Sequence, residues 1–261
     1  MDGTKRRALV TGSTSGIGLG IAEELAARGC DIVLSGFGEP DAIVALRQRI
    51  EQQYGVRAIH LAADLARAEQ CRALAEQAQA ALGGIDILVN NAGIQHVAPV
   101  QEFPTERWDA VLAVNLSAAF HLTASLLPEM LAGGYGRVIN IASAHGLVGS
   151  KDKSAYVAAK HGLVGLTKVV ALETAGRGVT CNAICPGWVL TPLVDAQIRD
   201  RMQKEGLGRR DAEAKLLEEK QPSGEFATPS QIGALAVFLC SSAAASITGA
   251  SLPVDGGWTA R

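Results

Sequence analysis

The chain has 261 residues, 48% hydrophobic and 19% charged, with a formal net charge of −2. That much apolar material suits a sheet buried on both faces, and the near-balanced charge excludes the basic footprint of a nucleic-acid or anionic-membrane binder. Five cysteines without a Cys-x-x-Cys pair supply neither a disulfide framework nor a zinc ribbon, and no metal site is expected.

Arg7-Ala-Leu-Val-Thr11 reads as a short strand, and residues 12–18 are Gly-Ser-Thr-Ser-Gly-Ile-Gly. An amphipathic helix over 19–28 follows, closed by Gly29. Strand, glycine turn and helix form a diphosphate cradle, because small residues admit phosphate to the backbone and the helix N-terminus supplies amide donors. The spacing, Gly-x-x-x-Gly-x-Gly, differs from the Gly-x-Gly-x-x-Gly dehydrogenase fingerprint. A second strand, Asp31-Ile-Val-Leu-Ser35, ends at Gly36-Phe37-Gly38, where an adenosine ribose belongs. No Arg or Lys stands there to pair with a 2′-phosphate, so NAD is expected rather than NADP. Phe37 and main-chain groups would bound the ribose, since Glu39 and Asp41 come late. Lys5, Arg6 and Arg7 could still fold back towards it.

A helix over 40–53 leads to a strand over 57–61 and to Asp64-Leu65. That acid suits an adenine amine or, equally, a cap for the helix beginning near Arg67. A strand over 85–89 runs into Asn90-Asn-Ala-Gly93, a small polar turn that either faces a ligand or only turns the chain. Gln95 and His96 precede a long helix over 105–131. Asn115 interrupts its apolar run and must find partners, in its own helix or in a water behind a catalytic lysine.

A strand over 136–143 ends at Ser143, and Tyr156 and Lys160 stand four apart in an Ala-rich helical segment. Their side chains would lie about 6 Å apart on one face. A free phenol titrates near pH ~10, and an ammonium one turn away favours the phenolate. The pair then exchanges a proton with a hydroxyl or carbonyl near neutrality, with Ser143 donating to the same oxygen. Alone, Tyr-x-x-x-Lys is more often ordinary helix surface. A strand over 179–185 runs into Pro186-Gly-Trp-Val-Leu-Thr-Pro192, and residues 193–221 are charged with a helical pattern. They read as a lid or as a solvated excursion. A helix over 229–241 and a strand over 251–255 precede Gly256-Gly-Trp258. Alternating strands and helices predict an α/β fold, a doubly wound parallel sheet with helices on both faces. One domain over 1–261 with a lid at about 190–221 is expected.

Thr11-Gly-x-x-x-Gly16-Ile-Gly18, Asn90-Asn-Ala-Gly93, Asn115, Ser143, Tyr156-x-x-x-Lys160 and Pro186-Gly187 occur here in one order and spacing. In these motifs the chain resembles the short-chain dehydrogenase/reductase family over nearly its whole length. The resemblance implies a Rossmann-like fold, Tyr156 as acid/base and Ser143 polarising the reacting oxygen. It also implies that Lys160 holds the nicotinamide ribose and lowers the tyrosine pKa, and that Asn115 orders a proton-relay water. An NAD site follows from Gly12, Thr14, Ser15, Gly16, Ile17, Gly18, Phe37, Asp64 and Leu65. Asn91, Ala92, Gly93, Tyr156, Lys160, Pro186, Gly187, Val189 and Thr191 would complete it.

Within that family the chain is similar to the bacterial D-3-hydroxybutyrate dehydrogenases. Gln95, His96, Ser143-Ala-His145, Lys153, Trp188, Gln197 and Trp258 carry this closer match. A small β-hydroxy acid brings a permanent carboxylate whose burial needs donors. Gln95, His145, Lys153 and Gln197 could supply them, Lys153 as charge partner, while Trp188 and Trp258 wall a methyl group. The resemblance thus implies reversible oxidation of (R)-3-hydroxybutyrate to acetoacetate with NAD, in a homotetramer. Reductases of 3-oxoacyl thioesters are the alternative in the same class; those commonly carry a basic residue where Ser15 or Phe37 stands here. A non-catalytic dinucleotide-binding sensor is the remote one, and it would be expected to break the tyrosine–lysine pair.

No apolar run reaches the roughly 18 residues of a membrane span, and the short stretch between Arg7 and Gly12 cannot serve as a signal peptide. Cys181 and Cys185 would sit about 13 Å apart on one strand, beyond disulfide reach. A reduced, cytoplasmic protein is the expectation.

Overall fold

The computed structural model describes residues 5–260; the outermost ends of the expected domain and N-terminal stretch, Met1 to Thr4 and Arg261, lie outside the described residues. Seven strands form one sheet: β1 (Arg7–Thr11), β2 (Asp31–Ser35), β3 (Ala58–His60), β4 (Ile87–Asn90), β5 (Gly136–Ile141), β6 (Val179–Pro186) and β7 (Ser251–Val254). Their order is β3-β2-β1-β4-β5-β6-β7, every pair parallel. Parallel strands need crossovers, and the helices that provide them cover both faces. This is why the strands read as continuous apolar runs rather than alternating ones. Alternate residues feed two cores. Val10, Ile32, Leu34 and Val89 pack with helices α1 (Gly16–Ala26) and α9, the helix at Pro229–Leu239. Leu9, Val33 and Leu88 face α3 (Ala68–Leu82), α5 (Ala118–Ala132) and α6 (Ser154–Thr174). The remaining crossover before β3 is α2 (Pro40–Tyr54).

The long helix expected over 105–131 is instead two helices, α4 (Thr105–Leu112) and α5, joined by a π-helical turn at Ala113–Ser117. Such a turn carries an extra residue, and it is common at functional sites; here it holds Asn115. Two segments, Thr105–Ala132 and Ser154–Thr174, are long and apolar enough by length and composition to cross a bilayer, contrary to the reading of the sequence. Both lie along the sheet in these cores, and they bring Asn115, Tyr156 and Lys160 to the site. All five cysteines are buried and free, Cys181 and Cys185 both within β6.

Residues 190–221 form two helices, α7 (Pro192–Glu205) and α8 (Arg209–Glu218). Their charge pattern has a direct cause. Outward, Arg209 pairs with Asp195 at 2.7 Å, and Lys215 with Glu205 at 2.9 Å. Exposed pairs of this kind contribute little, about 0–1 kcal/mol each. Inward, Val194, Ile198, Ala212 and Leu216 make a small core of their own with Trp188 and Phe226, and that burial holds the pair together.

Candidate active site

A cleft of about 500 Å³ opens across the carboxyl ends of the strands, at the point where the strand order reverses between β1 and β4. Gly12 takes a φ of +62°, which only glycine adopts cheaply, and a Cβ there would lie 2.9 Å from Asn91 Nδ2. Asn91 explains the closeness. Its Nδ2 donates to the Thr11 and Gly12 carbonyls at 2.8 and 3.0 Å, while Thr11 Oγ1 accepts from the Asn91 and Ala92 amides. The turn is therefore tied to β4 rather than free. Ser15 precedes α1 without a side-chain capping bond, so the first amides of that helix remain available to an anion. Thr14 Oγ1 donates to the Phe37 carbonyl at 2.8 Å and so ties the glycine turn to the loop after β2.

Gly12, Thr14, Ser15, Gly16, Ile17, Phe37, Asp64, Leu65, Asn91, Ala92 and Gly93 line this cleft, with Tyr156, Lys160, Pro186, Gly187 and Thr191. An open turn, a free helix N-terminus and a long apolar groove fit a dinucleotide. Gly18 and Val189 are not among the lining residues. A Cβ on Gly18 would collide with the Gly12 carbonyl and Asn91, so its smallness serves packing of helix on turn. Val189 is buried in the core and bridges to Ala227. Asp64 lines the cleft, and its Oδ1 accepts from the Ala66 amide at 3.0 Å in the turn ahead of α3, whose N-cap is Arg67, so Asp64 does not cap that helix. Asn90 points away, donating to Asn140 Oδ1 at 2.8 Å inside the core. Ile94 and Leu193 also line the cleft and carried no signal of their own in the sequence.

Ser143 follows the end of β5, and its Oγ accepts from the His145 amide at 3.1 Å. Lys160, buried on α6, donates to the Ile141 carbonyl at 2.7 Å, and burial pulls its pKa down from 10.5 to about 8. Its ammonium lies 5.6 Å from the centre of the Tyr156 ring. The sequence suggested a phenol made more acidic by this lysine. In the protein without ligands the direction is opposite: burial raises the Tyr156 pKa, and a hydrogen bond with Ser143 draws it only partly back. Desolvation outweighs a cation that is turned towards a backbone carbonyl. Asn115 differs too. Its side chain bonds not to its own helix but to the loop after β4: Oδ1 accepts from the Ile94 amide at 2.8 Å and Nδ2 donates to the Ile94 carbonyl at 2.9 Å. A Cβ on Gly93 would lie 3.0 Å from Asn115 Oδ1 and 3.8 Å from Lys160 Nζ, which places both groups against one glycine.

A ring cluster adjoins Tyr156. His145 meets it edge-on with centroids 6.0 Å apart and meets Trp258 at 5.0 Å; Trp258 stacks on Trp188 at 6.4 Å. Burial, with Lys153 and Lys220 nearby, lowers the His145 pKa to about 4, so the imidazole is neutral at pH 7. Its Nε2 and the Trp188 Nε1 are buried without partners, a cost that a bound polar ligand would relieve. Lys153 is half-buried and its pKa is lowered by burial and then by Lys220. Gln95 lines the cleft, whereas Gln197 on α7 has no side-chain hydrogen bond among the described residues. Two supporting residues were missed in the sequence. Gln221 is buried and accepts from the Trp188 amide at 2.7 Å. Asp255 accepts from the Gly257 and Thr259 amides at 3.0 and 2.9 Å and so fixes the turn that carries Trp258. An acid ahead of Gly-Gly was the available signal for the second.

The family profile described as Enoyl-(Acyl carrier protein) reductase matches residues 12–259. The chain is 57% identical over 256 residues to a D-beta-hydroxybutyrate dehydrogenase of Cupriavidus necator, covering 98% of each. It is 48% identical to another of that name from Rhizobium meliloti, covering 98% of this chain and 99% of the relative. L-Sorbose reductase from Gluconobacter frateurii, solved with NADPH and L-sorbose, superposes with a TM-score of 0.94 at 32% identity, covering 99% and 98% of the two chains. With the sheet order, the glycine turn and the Ser143–Tyr156–Lys160 group in place, the chain belongs to the short-chain dehydrogenase/reductase family, whose members are nicotinamide-dinucleotide oxidoreductases.

Proposed function

We propose that this chain oxidises (R)-3-hydroxybutyrate to acetoacetate, reversibly and with NAD. The observation that carries the reading is the cluster of His145, Trp188 and Trp258 beside Tyr156, with an unpartnered buried imidazole nitrogen in it and Lys153 near that imidazole. The names of the two bacterial dehydrogenases above support the same substrate.

The substrate hydroxyl lies between Ser143, which holds its oxygen, and Tyr156, which takes its proton. A bound nicotinamide supplies the two-electron acceptor for the hydrogen on C3. Lys160 places a positive charge 5.6 Å from the centre of the phenol ring, which opposes the rise that burial imposes on the Tyr156 pKa. Asn115 holds the Ile94 main chain and, through it, the wall at Gly93. The carboxylate is met by Lys153, by His145 as a neutral donor, and by Gln95 and Gln197, while Trp188 and Trp258 exclude water around the methyl group.

Preference for NAD is supported by Phe37, whose side chain is exposed at the ribose end of the cleft. The cations that could have reached a 2′-phosphate are engaged at the other end of the sheet. Lys5 pairs with Asp31 and Arg7 with Asp86, both at 2.8 Å, and Arg6 stacks on Tyr135. One catalytic domain with α7 and α8 as its lid, a reduced cytoplasmic setting and a homotetramer complete the proposal. Free, buried cysteines support the second, and exposed Phe120, Val169 and Leu172 on α5 and α6 support the third.

The test is a set of initial rates with free acetoacetate against its thioester, each with NADH and NADPH. The free acid with NADH should be preferred at least ~10-fold in kcat/KM, a difference of about 1.4 kcal/mol. Preference for the thioester or for NADPH refutes the reading.

A further inference from the structure

One cation that the sequence did not single out lies against the ring cluster that adjoins Tyr156. Lys220 stands in the turn just after α8, half-buried. Its ammonium lies 5.1 Å from the centre of the Trp258 ring and 3.4 Å from Ser150 Oγ, in the loop ahead of α6. Trp258 in turn touches His145, and His145 touches Tyr156. The charge is felt across this cluster, since it helps to depress protonation of both His145 and Lys153. Elsewhere in the same segment, Lys204, Arg209 and Lys215 each hold an acid. Among the described residues neither Lys153 nor Lys220 has an ion-pair partner. Two half-buried ammoniums on neighbouring segments, with no carboxylate paired to either among the described residues, form an arrangement that an incoming anion stabilises.

We propose that Lys220 is a specificity-determining residue, a second cation that the α7–α8 segment brings to the carboxylate of the substrate alongside Lys153. This rests on reading the site as a pocket for a small carboxylic acid. Ser150 and the face of Trp258 hold the flexible lysine stem in place, so the charge is positioned before the substrate arrives. Because Lys220 belongs to a different segment from Lys153, the carboxylate joins the α7–α8 segment to the α6 loop as it binds.

The experiment compares the parent enzyme, Lys220→Gln, Lys220→Arg and Lys153→Ala with NAD present. Two quantities are read: KM for 3-hydroxybutyrate, and inhibition by acetate, a carboxylate with no hydroxyl to oxidise. The methyl ester of 3-hydroxybutyrate is the neutral comparison. Lys220→Gln should raise KM for the acid and the acetate inhibition constant ~10-fold, the scale of one partly screened charge. Its kcat should change far less, the ester should respond little, and Lys220→Arg should recover most of the loss. Parent-like values in Lys220→Gln, with both constants raised in Lys153→Ala, overturn the role of Lys220 and leave the carboxylate pocket standing. Equal effects of both changes on acid and ester overturn the pocket itself, and the role of Lys220 with it.

Discussion

Lys160 is where stability and activity are set against each other, and replacing it by Met measures the conflict. Burial depresses its pKa from 10.5 to about 8. A lysine whose folded pKa lies below its unfolded value binds its proton less tightly in the fold, so the protonated side chain costs stability at every pH below about 8. That cost fades as the pH rises from about 8 to 10.5. The gap of 10.5 − 8, at about 1.4 kcal/mol per pH unit, corresponds to about 3 kcal/mol at pH 7. Removing the ammonium also forfeits its bond to the Ile141 carbonyl, worth about 1–2 kcal/mol. A net stabilisation of about 1–2 kcal/mol remains, or roughly 2–8 °C in Tm for a domain of this size. Thermal unfolding of the cofactor-free protein at pH 7 and at pH 10 is the assay. Lys160→Met should melt higher at pH 7, the advantage should shrink at pH 10, and turnover should fall by ~100-fold or more. A variant that melts lower than the parent at pH 7, or by the same interval at both pH values, refutes the reasoning.

Tyr156→Phe should lose ~10³-fold or more in kcat while dinucleotide binding, followed by fluorescence titration, stays within about threefold; retained turnover removes the acid/base assignment. His145 titrates near 4 in the fold against 6.5 outside it, so the unfolded chain takes up the proton first and stability declines as the pH falls from about 6.5 towards 4. His145→Gln should flatten that decline by about 2 kcal/mol, read from urea unfolding at pH 7 and pH 5. Asn115→Leu leaves both Ile94 groups unpaired and should destabilise the protein by about 2–4 kcal/mol, whereas a neutral outcome would show that water replaces the amide. Asp255→Ala releases the Gly-Gly-Trp258 turn and should raise KM several-fold with a shift in tryptophan emission, kcat moving less.

Regular structure was legible because the strands are short apolar runs, most of them closed by Gly, Asn, Ser or Pro, and burial on both faces demands that composition. Residues whose chemistry is declared by type and spacing, such as Ser143, Tyr156 and Lys160, were legible too. What escaped the sequence was direction. Nothing in Asn91 says that its amide turns back to the Thr11 and Gly12 carbonyls, and nothing in Val189 says that it points into the core. Nor does Tyr-x-x-x-Lys reveal that the phenol is buried, which reverses the expected shift, or that the ammonium bonds to the Ile141 carbonyl. The π-turn around Asn115 was invisible for a related reason: its residues have ordinary helical composition, and only the partner at Ile94 selects the wider turn. Lys220 and Gln221 lay at the end of a charged segment, where no periodicity separates a solvated side chain from one that reaches inward.

The bond from Thr14 to Phe37 involves the main-chain carbonyl of the second residue, while the Phe37 side chain is 73% exposed. Shape and chemistry are thereby uncoupled at that corner. The loop's tie to the glycine turn does not depend on which side chain residue 37 carries, so on the proposed function this is where single exchanges would alter cofactor preference at least cost to the fold.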